Sequence, residues 1–545
     1  MRRMILVGLM AFFLMSAIGE GADRKVSSSE ELAEVLKAAM PGDRVLIAPG
    51  GYALSAGVTS APITIEAANR DNRPVIKPGD GKWILDCGDI EGTVLLRHLV
   101  LEGGDRDLGA LQTLGTRLEV EDCEFRDFSG GSILRSGCTA KNRHKLRGIR
   151  VSRCVFKRNA KGAAVSSIGP ALVEDCTLEN VGGGLSFDDW TGKWGRKPRC
   201  DYKVIVRRNH IYRTEGTDWK CHGITTRTTA PEVYENVLHD LSKGNCMAMT
   251  IASNGFDRDG IPTAAQVYRN VIIEKWKAAD SGYIHEGIEY GEYRPTKGRI
   301  YENVIVGKVS PALYNKGDGN AWFNNTLVLT GDAFLFHCYG LKCSYYNHLQ
   351  MGGRAGMLNQ DRVNQWIAAK NLGPTCTSED HALEYSCLWK VTQNSFVKGQ
   401  GCVEADPKFV DPDKMDFRLR CDSPCINKGT GSRDGLTPTD IGAFEYPIQV
   451  RNFRVNERGV ASWSWGNDFQ KVSRLVRIRW HAERFPEAHD SKGDMTLAEV
   501  PASVLKIPTP KRTGCFAAFV LDARGHWSGP TPDGVHRFAL GVSRK

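Results

Sequence analysis

Apolar and polar positions return along this chain in one short frame. An apolar residue is followed three positions later by Asn, and another apolar residue comes two beyond it. The frame reads Val-Arg-Arg-Asn-His-Ile (206–211), Val-Tyr-Glu-Asn-Val-Leu (233–238), Val-Tyr-Arg-Asn-Val-Ile (267–272), Ile-Tyr-Glu-Asn-Val-Ile (300–305) and Trp-Phe-Asn-Asn-Thr-Leu (322–327). Upstream, Cys takes the place of Asn at 120–125, 151–156 and 173–178, and looser copies lie at 95–100, 345–349 and 384–389. The anchors of the frame are then His98, Cys123, Cys154, Cys176, Asn209, Asn236, Asn270, Asn303, Asn325, Asn347 and Cys387, spaced 22 to 40 residues apart.

A repeat of this length means stacked structural units. Each unit holds short runs of alternating polarity rich in β-branched residues, which predicts strands. One coil cannot bury its own apolar face, whereas a stack makes a continuous core. Asn side chains stacked at strand spacing exchange amide hydrogen bonds along the axis. Cys123, Cys154 and Cys176 fill the same interior position as small buried apolar residues. Coils run from about residue 75 to 389. Ahead of them, Ser27 with Glu30 and Ser28 with Glu31 have capping-box spacing, and Leu32, Val35, Leu36 and Ala39 form one stripe. This predicts a helix, stopped by Pro41-Gly42, that covers the open end of the stack.

These repeats resemble those of right-handed parallel β-helix proteins, the pectate-lyase-like superfamily, over roughly residues 25–446. The opening helix, Pro41-Gly42-Asp43, a strand and Pro49-Gly50-Gly51-Tyr52 are similar to the start of the alginate lyase and chondroitinase B family. The resemblance implies an all-β chain: a single-stranded right-handed parallel β-helix with an N-terminal capping helix, closed by the turns at 406–411, 417–419, 423–426 and 440–445. After Pro447 short alternating strands at 461–465, 475–480 and 515–521 predict a separate β-sandwich over 447–545. Its turn at 522–528 resembles that of a fibronectin type III module. Residues 1–22 read as a signal peptide: Arg2 and Arg3, an apolar run from Met4 to Met15, then small residues. The β-helix domain is then 23–446, and the expected location is secreted, periplasmic or at the cell surface, as a monomer with no membrane span after signal removal.

The formal net charge of +9 suits a polyanionic partner, but no run of Lys and Arg and no nucleic-acid motif occurs. The expected partner is an acidic polysaccharide and not nucleic acid. Of 16 Cys, those in turns and tail are disulfide candidates: Cys200, Cys221, Cys338, Cys343, Cys376, Cys402, Cys421 and Cys425. No phosphate-binding loop, dinucleotide fingerprint or zinc-protease motif is present.

Chemistry in a solenoid belongs to outward columns with one residue per coil. Aligning the strands 184–188, 223–227, 248–252, 282–286 and 312–316 puts Asp188, Arg227, Ala252, Glu286 and Lys316 in one column. Phe187, Thr226, Ile251, His285 and Asn315 fill the next, with His222 ahead of the second strand and His337 one coil on. Successive strands lie ~4.8 Å apart. The set suits β-elimination on a uronic acid polymer. That reaction neutralises the C6 carboxylate, removes the C5 proton and protonates the leaving oxygen. Lys316 is the candidate base and Arg227 the carboxylate holder, with His285 and His222 beside them. Asp188, Trp190, Trp219 and His337 are candidates for substrate contact. Glu286 and Glu289 are candidates for holding Ca2+. The alginate lyase and chondroitinase B resemblance implies such a Lys, Arg and calcium set, yet that family's Asn-then-Glu-x-Glu metal pattern is absent: His285-Glu286-x-x-Glu289 is spaced differently. Two alternatives stay open. Phe187-Asp188-Asp189-Trp190 and Cys221-His222-Gly223-Ile224 are similar to polygalacturonase segments, which implies a glycoside hydrolase. A charged column can also be a solvated face of weak ion pairs on a non-catalytic glycan-binding protein.

Overall fold

The described residues of this computed structural model are 21–538 less 55–56, 59–60, 82, 105–108, 138–146, 189–202, 213–221, 229, 242–245, 254–263, 275–283, 292–296, 332, 334–335, 339–342, 355–381, 393–397, 421, 427, 431–439, 445–449, 457–459, 466–472, 483–492, 510–513 and 523–534. The expected signal peptide lies, through residue 20, outside them. The chain divides into two compact units, Met1–Cys402 and Val403–Lys545. Among the described residues no helix is long and apolar enough to cross a membrane.

The first unit is a right-handed parallel β-helix. Among the described residues fourteen strands, from Asp23–Val26 to Leu383–Glu384, form one parallel sheet. Twenty-two more described strands form a second, whose pairings fall into two runs. The long strands Val155–Ser167 and Thr177–Asp188 belong to both runs. A coil therefore gives a strand to each of three faces, and alternate side chains point inward. Val206, Val233, Val267, Ile300, Trp322, Tyr345 and Leu383 make one such inward column, all 2% exposed or less. On the outside of the same strands Tyr234, Tyr268, Tyr301, Phe323 and Tyr346 stack at 4.8–5.1 Å with planes within 6°. That spacing is the strand repeat itself.

The helix Ser29–Ala38 closes the first coil. Ser28 Oγ accepts from Glu31 N at 3.2 Å, and Glu31 Oε2 accepts from Ser27 N at 2.7 Å. Leu32 and Leu36 join the β-helix core.

The Asn ladder forms as the frame predicts. Asn209, Asn236, Asn270, Asn303 and Asn325 are at most 1% exposed. Each Oδ1 from Asn236 to Asn325 accepts from both the backbone N–H and the Nδ2 of the Asn one coil earlier, at 2.9–3.1 Å. Asn209 Oδ1 accepts from Cys176 N at 3.0 Å, so the Asn ladder runs straight into the Cys ladder. Cys123, Cys154 and Cys176 are buried, with Cys154 and Cys176 donating to carbonyls of the preceding coils.

Three anchors need correction by one residue. Register places Leu99, His348 and Ser386 in the ladder, not His98, Asn347 and Cys387. The residue before each anchor turns the chain through the left-handed region. His98, Asp122, Arg153, Asp175, Arg208, Glu235, Arg269, Glu302 and Asn347 all have φ between 53° and 58°. Polar His98 and Asn347 occupy that turn, His98 half-buried and Asn347 buried, while His348 N donates to Ser386 Oγ at 3.0 Å inside. Left-handed backbone disfavours non-glycine residues. Cross-coil ion pairs brace several of these turns: Arg153 with Asp122, Arg208 with Asp175, Arg269 with Glu302. Three expected disulfide cysteines, Cys343, Cys402 and Cys425, are thiols instead; Cys343 donates to the Gly317 carbonyl and Cys402 to that of Leu383.

The second unit opens with an antiparallel pair, Phe409–Asp411 and Asp416–Leu419. The turns at 406–426, expected to close the β-helix, fall in this unit. Then come a sheet of Val450–Val455, Val460–Trp465 and Lys506–Pro508, and one of Met495–Pro501, Ser473–His481, Gly514–Asp522 and Val535–Phe538. Phe453 and Trp463 of the first share one core with Val476, Ile478 and Phe516 of the second. Two antiparallel sheets around one apolar core make a small sandwich.

Candidate active site

Register defines one outward column through the middle coils. Ser186, Thr225, Thr250, Glu289, Tyr314 and His337 lie directly opposite one another on successive strands. Two positions earlier runs a column of small residues: Gly184, Gly223, Ala248, Gly287 and Ala312. A Cβ on Gly223 would sit 2.7 Å from Ala248 O, and one on Gly287 2.3 Å from Ala312 O. Neighbouring backbones therefore approach more closely here than a side chain allows. One residue before Gly223, His222 reaches the Thr250 side chain on the next coil.

This register corrects the expected column. Ile251 pairs with Tyr290 and Tyr290 with Asn315, so Glu286 does not stand between Ala252 and Lys316. Glu286 pairs instead with Met247, three positions away from Glu289. Two causes combine. Gly282-Tyr283 and Gly287-Ile288 both offer the small-then-apolar start that the neighbouring strands share, and Ile288 is buried at the core register opposite Met249 and Leu313. The pairing also slips between Cys246 and Met247. Asp188 and Arg227 are register partners as expected. The strands of Asp188, His285, Glu286 and His337 are placed, but their side chains lie outside the described residues, as do Trp190 and Trp219 altogether.

The acidic partner of Lys316 is Glu289. Lys316 Nζ donates to Glu289 Oε1, and it lies 4.5 Å from the centre of the Tyr314 ring. The Glu289 side chain is 6% exposed and that of Lys316 22%. A carboxylate this buried requires its cation. The backbone of Lys316 is fixed by its flanks. Asn315 Oδ1 accepts from Gly317 N at 3.2 Å and from Asn320 Nδ2 at 2.7 Å, while Asn315 Nδ2 donates to Tyr345 Oη at 2.8 Å. Asn320 Nδ2 also donates to Gly317 O at 2.8 Å. Sequence reasoning selected Lys316 but missed this brace. The signal was the polar run Asn315-Lys316-Gly317-Asp318-Gly319-Asn320 after an apolar strand.

His222 Nδ1 lies 3.2 Å from Thr250 Oγ1. That hydroxyl is 3.4 Å from Met247 Sδ, to which it donates. In the tautomer that carries its proton on Nδ1, that oxygen accepts Nδ1–H and Nε2 of His222 keeps its lone pair. Burial pushes the His222 pKa below the usual value; Glu289 pulls it back up and the Arg227 charge adds to the lowering. The imidazole is therefore neutral at neutral pH. Thr250 was not singled out from the sequence, because a Thr in a strand has no distinguishing pattern. Of the two expected calcium ligands, Glu289 gives Oε1 to Lys316 and Glu286 has no described side chain. Among the described residues, no group of three or more His, Cys, Asp or Glu side chains converges as a metal site.

No family model matches this chain, and no curated protein sequence does. Solved structures of similar shape exist at low identity. A mutant form of the PL6 family alginate lyase AlyGC is 13% identical, matching 74% of this chain and 56% of that one with a TM-score of 0.42; the chain thus spans little more than half of that enzyme. The PL6 family polysaccharide lyase Pedsa3628 from Pseudopedobacter saltans is 12% identical over 77% of this chain and 99% of that one, TM-score 0.39. A mutant of the periplasmic alginate epimerase AlgG is 11% identical over 71% and 84%, TM-score 0.32.

Proposed function

We propose that the protein is a polysaccharide lyase that cleaves a uronic-acid-containing glycan by β-elimination. The observation that carries this reading is a run of four successive coils on one face that presents, in order, His222 with Arg227, then Thr250, then Glu289, then Lys316. His222, Arg227 and Lys316 have the chemical types the reaction needs, and Glu289 and Thr250 fix two of them.

Elimination begins when positive charge makes the uronate carboxylate behave as a neutral acyl group, so that the C5 proton becomes acidic. Arg227, on the strand of His222, supplies that charge, and Lys316, three coils on and paired with Glu289, adds to the positive field of the face. A base then removes the C5 proton. Lys316 serves poorly, since losing its own proton would break its ion pair with buried Glu289. His222 serves well: it is neutral, and its Nδ1–H donates to Thr250, so Nε2 accepts the proton. Electrons shift from the C5–H bond into the C4–C5 double bond, and the C4–O bond breaks. The departing oxygen takes its proton from water, since Lys316 as the acid would strand buried Glu289 in the same way. Lys316 therefore moves from the role of base to that of a fixed cation, and His222 takes its place as base. No step runs through calcium.

The test is turnover on a panel of uronic polymers and neutral glycans, followed by the ultraviolet absorbance of the unsaturated product and by reducing ends. Both signals rising together on a uronate polymer supports the reading. Reducing ends without absorbance point to a glycoside hydrolase, and binding without products to a glycan-binding protein.

A further inference from the structure

Two histidines that the proposed reaction does not use meet on neighbouring coils. In register His210 lies opposite Val237, and His239 sits two residues further along that strand. Their side chains therefore approach along a diagonal of the outer face. The two Nε2 atoms are 2.7 Å apart. His239 Nδ1 lies 3.1 Å from Asp240 Oδ2. A carboxylate only accepts, so Nδ1 of His239 carries the proton and its Nε2 presents a lone pair. His210 Nε2–H donates to that lone pair. Tyr212 lies parallel to the His239 ring at 5.1 Å and 4.9 Å from the His210 ring, so one aromatic wall holds both imidazoles. His210 is exposed and the His239 side chain is 27% exposed, leaving the nitrogens open to solvent.

We propose that His210 and His239 form a surface site for a divalent transition-metal ion of tetragonal preference, Cu(II) or Ni(II), bound through both Nε2 atoms. Imidazole nitrogen is a ligand both ions favour. Asp240 behind His239 is the carboxylate–histidine arrangement that fixes the ring and strengthens it as a ligand. The distance discriminates between ions. With metal–nitrogen bonds of ~2.0–2.1 Å, two ligands at a right angle are ~2.9 Å apart and two at a tetrahedral angle ~3.3 Å. The observed separation opens to the first by a few tenths of an ångström, and to the tetrahedral geometry of Zn(II) only by more. Binding moves the Nε2 proton of His210 to its own Nδ1 by way of solvent, so both rings stay neutral and no net proton is released. Water completes the coordination.

The experiment is titration of the tag-free full chain with Cu(II) alone at neutral pH, followed by electron paramagnetic resonance. The expected result is one tight equivalent whose spectrum shows two imidazole nitrogens. His210→Ala and His239→Ala each reduce the affinity at least tenfold, and Asp240→Asn reduces it about tenfold. Circular dichroism reports whether each variant is folded. Affinity equal to wild type in folded His210→Ala and His239→Ala, or a wild-type spectrum without imidazole nitrogen, overturns the site. Tighter binding of Zn(II) than of Cu(II) overturns the choice of ion.

Discussion

Replacing Asn270 with Leu removes one rung from the interior ladder. The Asn270 side chain accepts from Asn236 N at 3.1 Å and Asn236 Nδ2 at 2.9 Å, and donates to Asn303 Oδ1 at 3.0 Å and Val233 O at 2.9 Å. Not all of these partners are stranded. Asn236 Nδ2 keeps Val206 O and Tyr234 O, and Asn303 Oδ1 keeps the backbone N–H of Asn270. The Asn236 backbone N–H loses its acceptor, and the Val233 carbonyl loses a donor. One buried orphan costs about 1–3 kcal/mol, so the total is about 3 kcal/mol. Asn270→Asp separates hydrogen bonding from shape. It keeps Oδ1 but turns a second oxygen toward Val233 O and Asn303 Oδ1. At neutral pH it should destabilise more than Leu, and the gap should narrow on acidification as the carboxyl gains a proton it can donate. Urea titrations followed by circular dichroism give both orderings from the midpoints. Because long stacks can lose two-state behaviour, the midpoint and not the extrapolated free energy is compared. A midpoint for Asn270→Leu equal to wild type would refute the buried ladder as a source of stability.

Other consequences follow from named residues. Lys316→Ala removes the cation that balances buried Glu289 and should cost about 3 kcal/mol, most of it recovered in Lys316→Met/Glu289→Leu; no recovery in thermal melts would mean the ion pair is not the cause. His348 is fully buried in the ladder, and burial lowers its pKa to about 3 from 6.5. Its unfolded form binds a proton first, so stability present above 6.5 is lost as pH falls toward about 3, and His348→Asn should flatten that loss in acid-unfolding curves. His222 is also held below its usual value, so the acid limb of kcat/KM should fall below pH 6.5; a limb at or above that value excludes His222 as the base.

The ladder was legible because its residues are constrained by type: only a small side chain that pairs along the axis fits Asn236 or Asn303, and the frame records it. Where the frame loosens, the one-residue errors at His98 and Asn347 arise because a polar residue also suits the left-handed turn just before the ladder, and the one at Cys387 arises because Cys fills the ladder position in upstream coils while Ser386 fills it here. Site residues were harder to place, since an outward column carries no packing constraint on residue type. Arg227, Lys316, His222 and Glu289 were selected by chemistry. Their grouping depended on a register that Gly282-Tyr283 and Gly287-Ile288 leave ambiguous and that a slip at Cys246 then decides. The hydrogen bonds of Thr250 and Asn320 depend on neighbours 28 and five residues away, and no local pattern announces them.

The most direct test of the catalytic account is His222→Gln measured on whichever uronate polymer yields unsaturated product with the wild type. Gln keeps a polar side chain beside Thr250 but cannot take the C5 proton. General-base loss should lower kcat by about 10²–10⁴-fold with little change in KM, in a protein that still melts as the wild type does. A folded His222→Gln that forms the double bond at the wild-type rate would contradict the assignment of His222 as the base.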